Sequence, residues 1–209
     1  MSIGMSGQRT LGDVCLERLA GEALRERLED LARLRIEVFR SFPYLYDGDL
    51  AYEQRYLETY LRSRESALIV ASAGERIVGA ATALPLTDET ENIIAPFRRQ
   101  GFDIARVFYF GESVLLPAFR GRGIGVAFFE EREAWARSLG RFSVVCFCAV
   151  DRPVDHPRRP KNYVPLDAFW RRRGFQPIPD MTTEFSWKDL DETEESPKRM
   201  VYWMKTLTP

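Results

Sequence analysis

Apolar residues recur along this chain at two spacings, and the switches between them mark its elements. Between Glu22 and Phe39, Leu24, Leu28, Leu31 and Val38 share one face at the helical period, which predicts an amphipathic helix. Leu50 to Arg62, carrying Tyr52, Tyr56, Leu57 and Tyr60, predicts a second helix, and Asp88 to Gln100 a short further one. Strands are expected at Asp13 to Leu19, then at Ala67 to Ala71 and Arg76 to Leu84, the last two joined at Gly74 as a hairpin. Arg106 to Leu116 is aromatic and branched enough for a strand, with Gly111 as a bend or bulge. Ile124, Phe128, Trp135 and Leu139 return to helical spacing, and Gly140 stops that helix. Phe142 to Val150 reads as a strand buried on both faces, followed by a short helix from Leu166 to Arg173. A broken strand from Phe175 to Trp187, an acidic surface loop and a strand near Met200 to Leu207 complete the chain. The sum is about seven strands and four or five helices without internal repeat, an α/β (α+β) chain with one domain at 13–209 behind a flexible segment at 1–12.

One junction carries chemistry. The apolar strand ending Val114, Leu115, Leu116 runs into Arg120-Gly121-Arg122-Gly123-Ile124-Gly125 and then a helix. Alternate glycines let backbone N–H groups approach a ligand, and the helix start adds unpaired amides and the positive end of its dipole, so the turn suits an anion. A Rossmann fingerprint needs G-x-G-x-x-G and a Walker loop a Gly-Lys-Ser/Thr ending, and both fail here. Arg120, Gly123 and Gly125 fill Arg/Gln-x-x-Gly-x-Gly/Ala, so the loop resembles the acyl-CoA signature of the GCN5-related N-acetyltransferases, the GNAT family. Arg173-Gly174-Phe175 looks like that family's terminal Gly-Phe element, and strand, loop, helix, strand and helix precede it in family order.

The resemblance implies a mixed sheet splayed between its fourth and fifth strands. It also implies acetyl-CoA as acyl donor, its diphosphate on the loop amides and its pantetheine arm beside Val114, Leu115 and Leu116. Asn162 lies near a position where family members place a cofactor contact. The implied activity is N-acyl transfer, most simply acetyl transfer, to the amine of a small molecule by direct attack in a ternary complex. A homodimer is an expected assembly by the same analogy. A catalytically silent acyl-CoA-binding sensor, and a structural α/β protein whose turn binds only inorganic anions, are the competing readings.

Such a reaction needs a neutral amine. For a lysine-like amine, reaching that form at pH 7 costs about 4 to 5 kcal/mol, comparable to what a general base supplies. Glu112, on the strand beside Gly111, is the candidate base, and backbone amides of that strand are the expected oxyanion donors. The family's general acid is a Tyr four residues before the Gly of Gly-Phe, and Trp170 stands there. Tyr163 is the candidate substitute, with Tyr109 as a second hydroxyl; a CoA thiol with a pKa of about 8.5 also tolerates departure without a dedicated acid. Phe42, Tyr44, Tyr46 and Tyr109 are the candidate acceptor contacts, with Asp47 and Asp49 supplying charge for a cationic amine. Arg152, Arg158 and Arg159 form a possible basic rim.

Charge narrows the partners. Thirty basic and 31 acidic side chains leave a net charge of −1, which argues against coating nucleic acid or binding membrane through a polybasic surface. The apolar runs are strand-sized and the first ten residues lack a signal-peptide core, so a cytoplasmic location is expected. Cys15, Cys146 and Cys148 make an odd count that implies no disulfide framework, and Cys-x-Cys without a nearby His is a poor metal site, so no metal is expected. The lone histidine, His156, is read as a surface residue.

Overall fold

The computed structural model describes residues 8–20 and 22–208. Eight strands form one sheet: β1 (Arg9–Leu11), β2 (Val14–Leu19), β3 (Ala67–Ala73), β4 (Arg76–Pro85), β5 (Val107–Leu115), β6 (Val144–Val150), β7 (Gln176–Trp187) and β8 (Ser196–Thr206). Their spatial order is β1-β2-β3-β4-β5-β6-β8-β7. Only β5 and β6 pair in parallel among these neighbours. Among the described residues six α-helices flank the sheet: α1 (Glu22–Arg25), α2 (Leu28–Phe39), α3 (Leu50–Arg62), α4 (Glu91–Arg99), α5 (Ile124–Ser138) and α6 (Asp167–Arg171). Helix α2 packs over β4 and β5, and α5 over β3, β4 and β5.

The expected α/β class and single mixed sheet hold, with two differences of count. Eight strands replace the seven expected, because Arg9–Leu11 pairs with β2 through a turn in which Gly12 has φ +62°. Three residues are too short to display a period, so this strand lay inside the segment expected to be flexible; residues 1–7 of that segment lie outside the described residues. The helix expected over Glu22 to Phe39 is two helices, since Arg27 leaves helical geometry (φ −108°, ψ 2°). Leu24 and Leu31 both still pack inward, which is why the apolar pattern runs through the break. Helix α3 keeps its expected limits because Asp49 caps it, accepting a hydrogen bond from the Tyr52 N–H at 2.9 Å. Asp49→Ala is therefore expected to lower stability by about 1 kcal/mol, read from the midpoint of urea unfolding.

Two irregularities shape the middle of the sheet. Strands β5 and β6 pair only at Val107↔Val144, Phe108↔Val145 and Tyr109↔Cys146. Beyond Tyr109 they part: β5 stays with β4, while β6 follows β8 from Val144↔Thr206 to Val150↔Met200. The gap expected between the signature strand and its successor is thus present. The second irregularity is a bulge in β5, where the register with β4 shifts between Ala81 and Ala83 and places Gly111 and Glu112 opposite Thr82. The Glu112 N–H donates to Thr82 Oγ1 at 3.2 Å. A Cβ at Gly111 would overlap the Tyr60 hydroxyl and Thr82 Oγ1, so glycine is required there.

Candidate active site

The glycine turn at the start of α5 has the backbone its sequence called for. Gly121 and Gly123 have φ +77° and +83°, a region where other residues are strained. The Arg120 N–H goes to the Pro117 carbonyl at 3.2 Å, and those of Val126 and Ala127 to the Gly123 carbonyl at 3.0 Å. Among the described residues the five amides between them, Gly121 to Gly125, have no acceptor in the protein. They sit at the N-terminus of a 15-residue helix, so unpaired donors and helix dipole favour an anion together.

These amides open onto a cavity of about 1240 Å³ that runs along the splayed edge of β5 to the inner ends of α2 and α3. Arg120, Gly121, Gly123 and Gly125 line one end, Leu115, Ser113 and Glu112 the middle, and Tyr44, Tyr46, Tyr56 and Tyr109 the other. Val114, Leu116 and Ile124 bury their side chains in the core instead, and the Leu116 N–H goes to the Val78 carbonyl at 2.9 Å, so of the three only the Ile124 amide is free. Arg122 turns away, pairing with Asp13 at 3.1 Å and lying over the Phe119 ring.

Glu112 lies at the centre. It is 6% exposed, and its Oε2 ion-pairs with Arg35 Nη1 at 2.8 Å and accepts from the Tyr56 hydroxyl at 3.4 Å. Arg35 Nε donates in turn to Glu53 Oε2, and the guanidinium lies over the Tyr56 ring at 4.3 Å. Burial alone would lower the proton affinity of Arg35; Glu112, Tyr56 and Glu53 more than reverse this and hold it charged. Glu112 Oε1 is buried without a hydrogen-bond partner. From the α5 side Arg132, 1% exposed, donates to the carbonyls of Phe128, Thr82 and Glu112 and to Ser113 Oγ, pinning the bulge. Burial lowers its pKa to about 9, with Glu112 opposing the shift, so it remains cationic at neutral pH.

The sequence pointed to neither Arg35, Glu53 nor Arg132. Two of them have a readable signal: Arg35 falls between Leu31 and Val38 on the apolar stripe of α2, and Arg132 between Phe128 and Trp135 on that of α5. A charge on a buried stripe requires a partner.

The loops depart further from expectation. Asp47 pairs with Lys188 at 2.7 Å and Asp49 caps α3, so neither supplies charge to the cavity. Arg152 turns inward to the Pro43 and Tyr44 carbonyls, both at 2.8 Å, and to Asp189, tying the 151–161 loop down instead of forming a rim. Tyr46 is 8% exposed, its hydroxyl beside Glu53 and its backbone bridged to Asp189, so it acts in the wall through packing. Asn162 and Tyr163 line the mouth from the loop before α6, which begins only at Asp167. Tyr163 sits edge-on to Phe42 with ring centroids 4.7 Å apart, and His156 also packs on Phe42. Trp170, in the place of the family tyrosine, packs between Phe147 and Trp203. Tyr109 shares a hydrogen bond with Cys148 Sγ at 3.0 Å.

The family model described as "Acetyltransferase (GNAT) family" matches residues 28–175. The chain belongs to the GNAT family. Solved structures agree in fold. An acetyltransferase-fold protein from Acinetobacter baylyi ADP1 superposes with a TM-score of 0.59 at 11% identity, covering 95% of each chain. Ribosomal-protein-alanine N-acetyltransferase from Brucella melitensis gives 0.56 at 16% identity, covering 91% of this chain and 99% of its own. YncA from Salmonella typhimurium, solved with its cofactor acetyl-CoA, gives 0.53 at 10% identity over 92% and 94% of the two chains. Comparison with curated protein sequences finds no match. GNAT proteins use acetyl-CoA, and this site fits it: five free amides at a helix N-terminus suit the diphosphate, and the parted strands leave an unpaired edge for an extended arm. No helix among the described residues is long and apolar enough to cross a membrane.

Behind the cavity, Glu89 is half-buried and has its pKa raised to about 7, chiefly by burial and also by Glu112, against the Thr90 N–H that lowers it. A carboxyl whose folded pKa lies above its ordinary 4.5 binds protons on folding, so its contribution is full below about pH 4.5 and lost as pH rises through about 7. Glu89→Gln is therefore expected to leave stability unchanged near pH 4 and to raise it by about 1 to 2 kcal/mol at pH 8, allowing for partial solvent screening. Urea titrations at the two pH values check the crossover.

Proposed function

We propose that this GNAT protein is a cytoplasmic acyl-CoA-dependent N-acyltransferase that moves an acetyl group onto the amine of a small molecule by direct attack with both substrates bound. The observation that carries the proposal is continuity: one cavity is lined by Gly121, Gly123 and Gly125 of the turn with free amides, by Ser113 and Leu115 on the edge of β5 that β6 leaves, and by Glu112. Acetyl-CoA, when bound, supplies an acyl carbon activated as a thioester. The loop amides and the start of α5 bind the diphosphate, Arg120 and Asn162 flank it at the mouth, and the edge of β5 at Ser113 and Leu115 lies along the arm.

Glu112, which lines the cavity and keeps one carboxylate oxygen free of any partner in the protein, accepts the ammonium proton of the acceptor. As the C–S bond of the tetrahedral adduct breaks, Tyr163 donates the proton that the leaving thiolate takes up, and the second proton shed by the newly acylated nitrogen restores the phenol. Burial raises its pKa above the ordinary 10, so the hydroxyl is protonated at neutral pH, whereas the Tyr109 hydroxyl is engaged with Cys148. The Cys148 thiol is pushed up to about 12 by burial, which supports direct attack over a route through an acyl-cysteine. Phe42, Tyr44, Tyr46 and Tyr109 wall the acceptor end. Tyr163→Phe is expected to lower kcat roughly tenfold, a modest effect because a CoA thiolate is already a fair leaving group. A stopped assay of thiol release checks it. The function itself is tested by thiol release from acetyl-CoA across an amine panel: turnover with an amine is expected. CoA binding with no release for any amine would make the protein a sensor.

A further inference from the structure

Phe42 and Tyr44, then Asn162 and Tyr163, then Trp187 line the cavity from three separate segments of the chain. Behind the wall the segments meet at one ion pair, Arg152 with Asp189, whose side chains are 10% and 6% exposed. Arg152 Nε donates to the Pro43 carbonyl and Nη2 to the Tyr44 carbonyl, both at 2.8 Å, while Nη1 and Nη2 meet the two Asp189 oxygens, also at 2.8 Å. The Trp187 indole N–H is shared between the Tyr44 carbonyl at 3.1 Å and Asp189 Oδ1 at 2.9 Å. Two backbone bonds close alongside, from the Leu190 N–H to the Leu45 carbonyl at 2.8 Å and from the Asp47 N–H to the Lys188 carbonyl at 2.9 Å.

This clamp holds a strained backbone. Leu45, between the wall residues Tyr44 and Tyr46, has φ +56°, a conformation that a leucine keeps only where its surroundings over-determine it. Released, the segment would relax and carry Tyr44 and Phe42 with it, and Phe42 is the ring against which Tyr163 sits edge-on. A planar guanidinium can serve two carbonyls and a carboxylate at once; a lysine ammonium, a single point charge, cannot span them.

We propose that Arg152 is a positioning residue for acyl transfer: through Pro43, Tyr44 and Asp189 it fixes Tyr44 in the acceptor wall and, through Phe42, Tyr163 at the mouth. This rests on the acyl-transfer reading and names a residue that the reading does not itself use.

The experiment compares the wild-type protein with Arg152→Ala, Arg152→Lys and Asp189→Asn. Thiol release from acetyl-CoA is followed with 2-phenylethylamine, spermidine, lysine and methionine as probe acceptors, and the variants are measured with the probe that the wild type uses fastest. A misplacement of about 1 Å costs on the order of 100-fold, so kcat/KM for the probe is expected to fall to that extent in Arg152→Ala while the Kd of acetyl-CoA stays within about twofold. Guanidinium ion below denaturing concentration is expected to restore Arg152→Ala roughly tenfold and Arg152→Lys not at all. An arginine with a merely structural role would weaken donor and acceptor together and show no such restoration. That result, or a kcat/KM within about threefold of wild type in both Arg152→Lys and Asp189→Asn, overturns the inference. Amide hydrogen exchange reads the clamp without any acceptor: Asp47 and Leu190 are expected to exchange roughly tenfold faster in Arg152→Lys, with the amides of β3 and β4 unchanged. A wild-type protein inactive toward all four probes removes the acyl-transfer reading, and exchange then decides alone. Faster exchange confined to the clamp keeps Arg152 as the residue that positions the wall; unchanged or uniformly faster exchange overturns it.

Discussion

Glu112→Gln is expected to lower kcat by about 10² to 10⁴-fold while leaving acetyl-CoA affinity within a factor of two or so. The amide keeps the size of the carboxylate and can still accept from Arg35 Nη1, but its remaining polar group has no basicity to take the ammonium proton. The loop amides proposed to hold the donor belong to the turn before α5 and not to the Glu112 bulge, so donor binding serves as an internal control for folding. Raising the pH toward the pKa of a lysine-like amine, about 10.4, is expected to narrow the gap between variant and wild type, because solvent then does the deprotonation. A kcat within a few-fold of wild type across that range removes Glu112 from the chemistry.

Arg35→Ala is expected to cost about 3 to 5 kcal/mol of stability, the largest loss from any single change at the site. Removing this guanidinium leaves Glu53, 0% exposed, and Glu112, 6% exposed, buried with no cation between them from the α2 side. It also strips the stacked Tyr56 and Phe39 rings of the group they cover. The cost belongs to the orphaned carboxylates more than to the lost pair, so Arg35→Met combined with Glu53→Gln and Glu112→Gln is expected to recover most of it. Urea unfolding of the single and triple variants at pH 7 measures both, and a single variant that loses under 1 kcal/mol contradicts the buried network.

What could be read in the sequence was local. Gly121 and Gly123 announced the anion turn because few other residues take its backbone, and the long periodic segments announced α2, α3 and α5. The bend at Gly111 was legible as a glycine within a strand, and its cause is the room a Cβ would take from Tyr60 and Thr82. The pairing that makes the site was not: Arg35, Glu53 and Glu112 come from α2, α3 and β5, and nothing in a one-dimensional pattern says which charges meet. Asp47 and Asp49 show the converse, since an acidic loop residue looks the same whether it caps a helix, pairs with a lysine or meets a ligand. Arg152 reads as a surface cation in a Pro-rich loop, yet its contacts to Pro43, Tyr44 and Asp189 are tertiary. A charged residue on an apolar helical stripe is the transferable signal, and here both examples, Arg35 and Arg132, lead to Glu112.

The most direct measurement is a crystal structure of the protein with acetyl-CoA. The predicted result has diphosphate oxygens within hydrogen-bond distance of the amides of Gly121 to Gly125, the arm along β5 beyond Tyr109, and the thioester facing Glu112. A complex whose donor lies elsewhere, with these amides turned from the diphosphate or the β5 edge untouched, contradicts it.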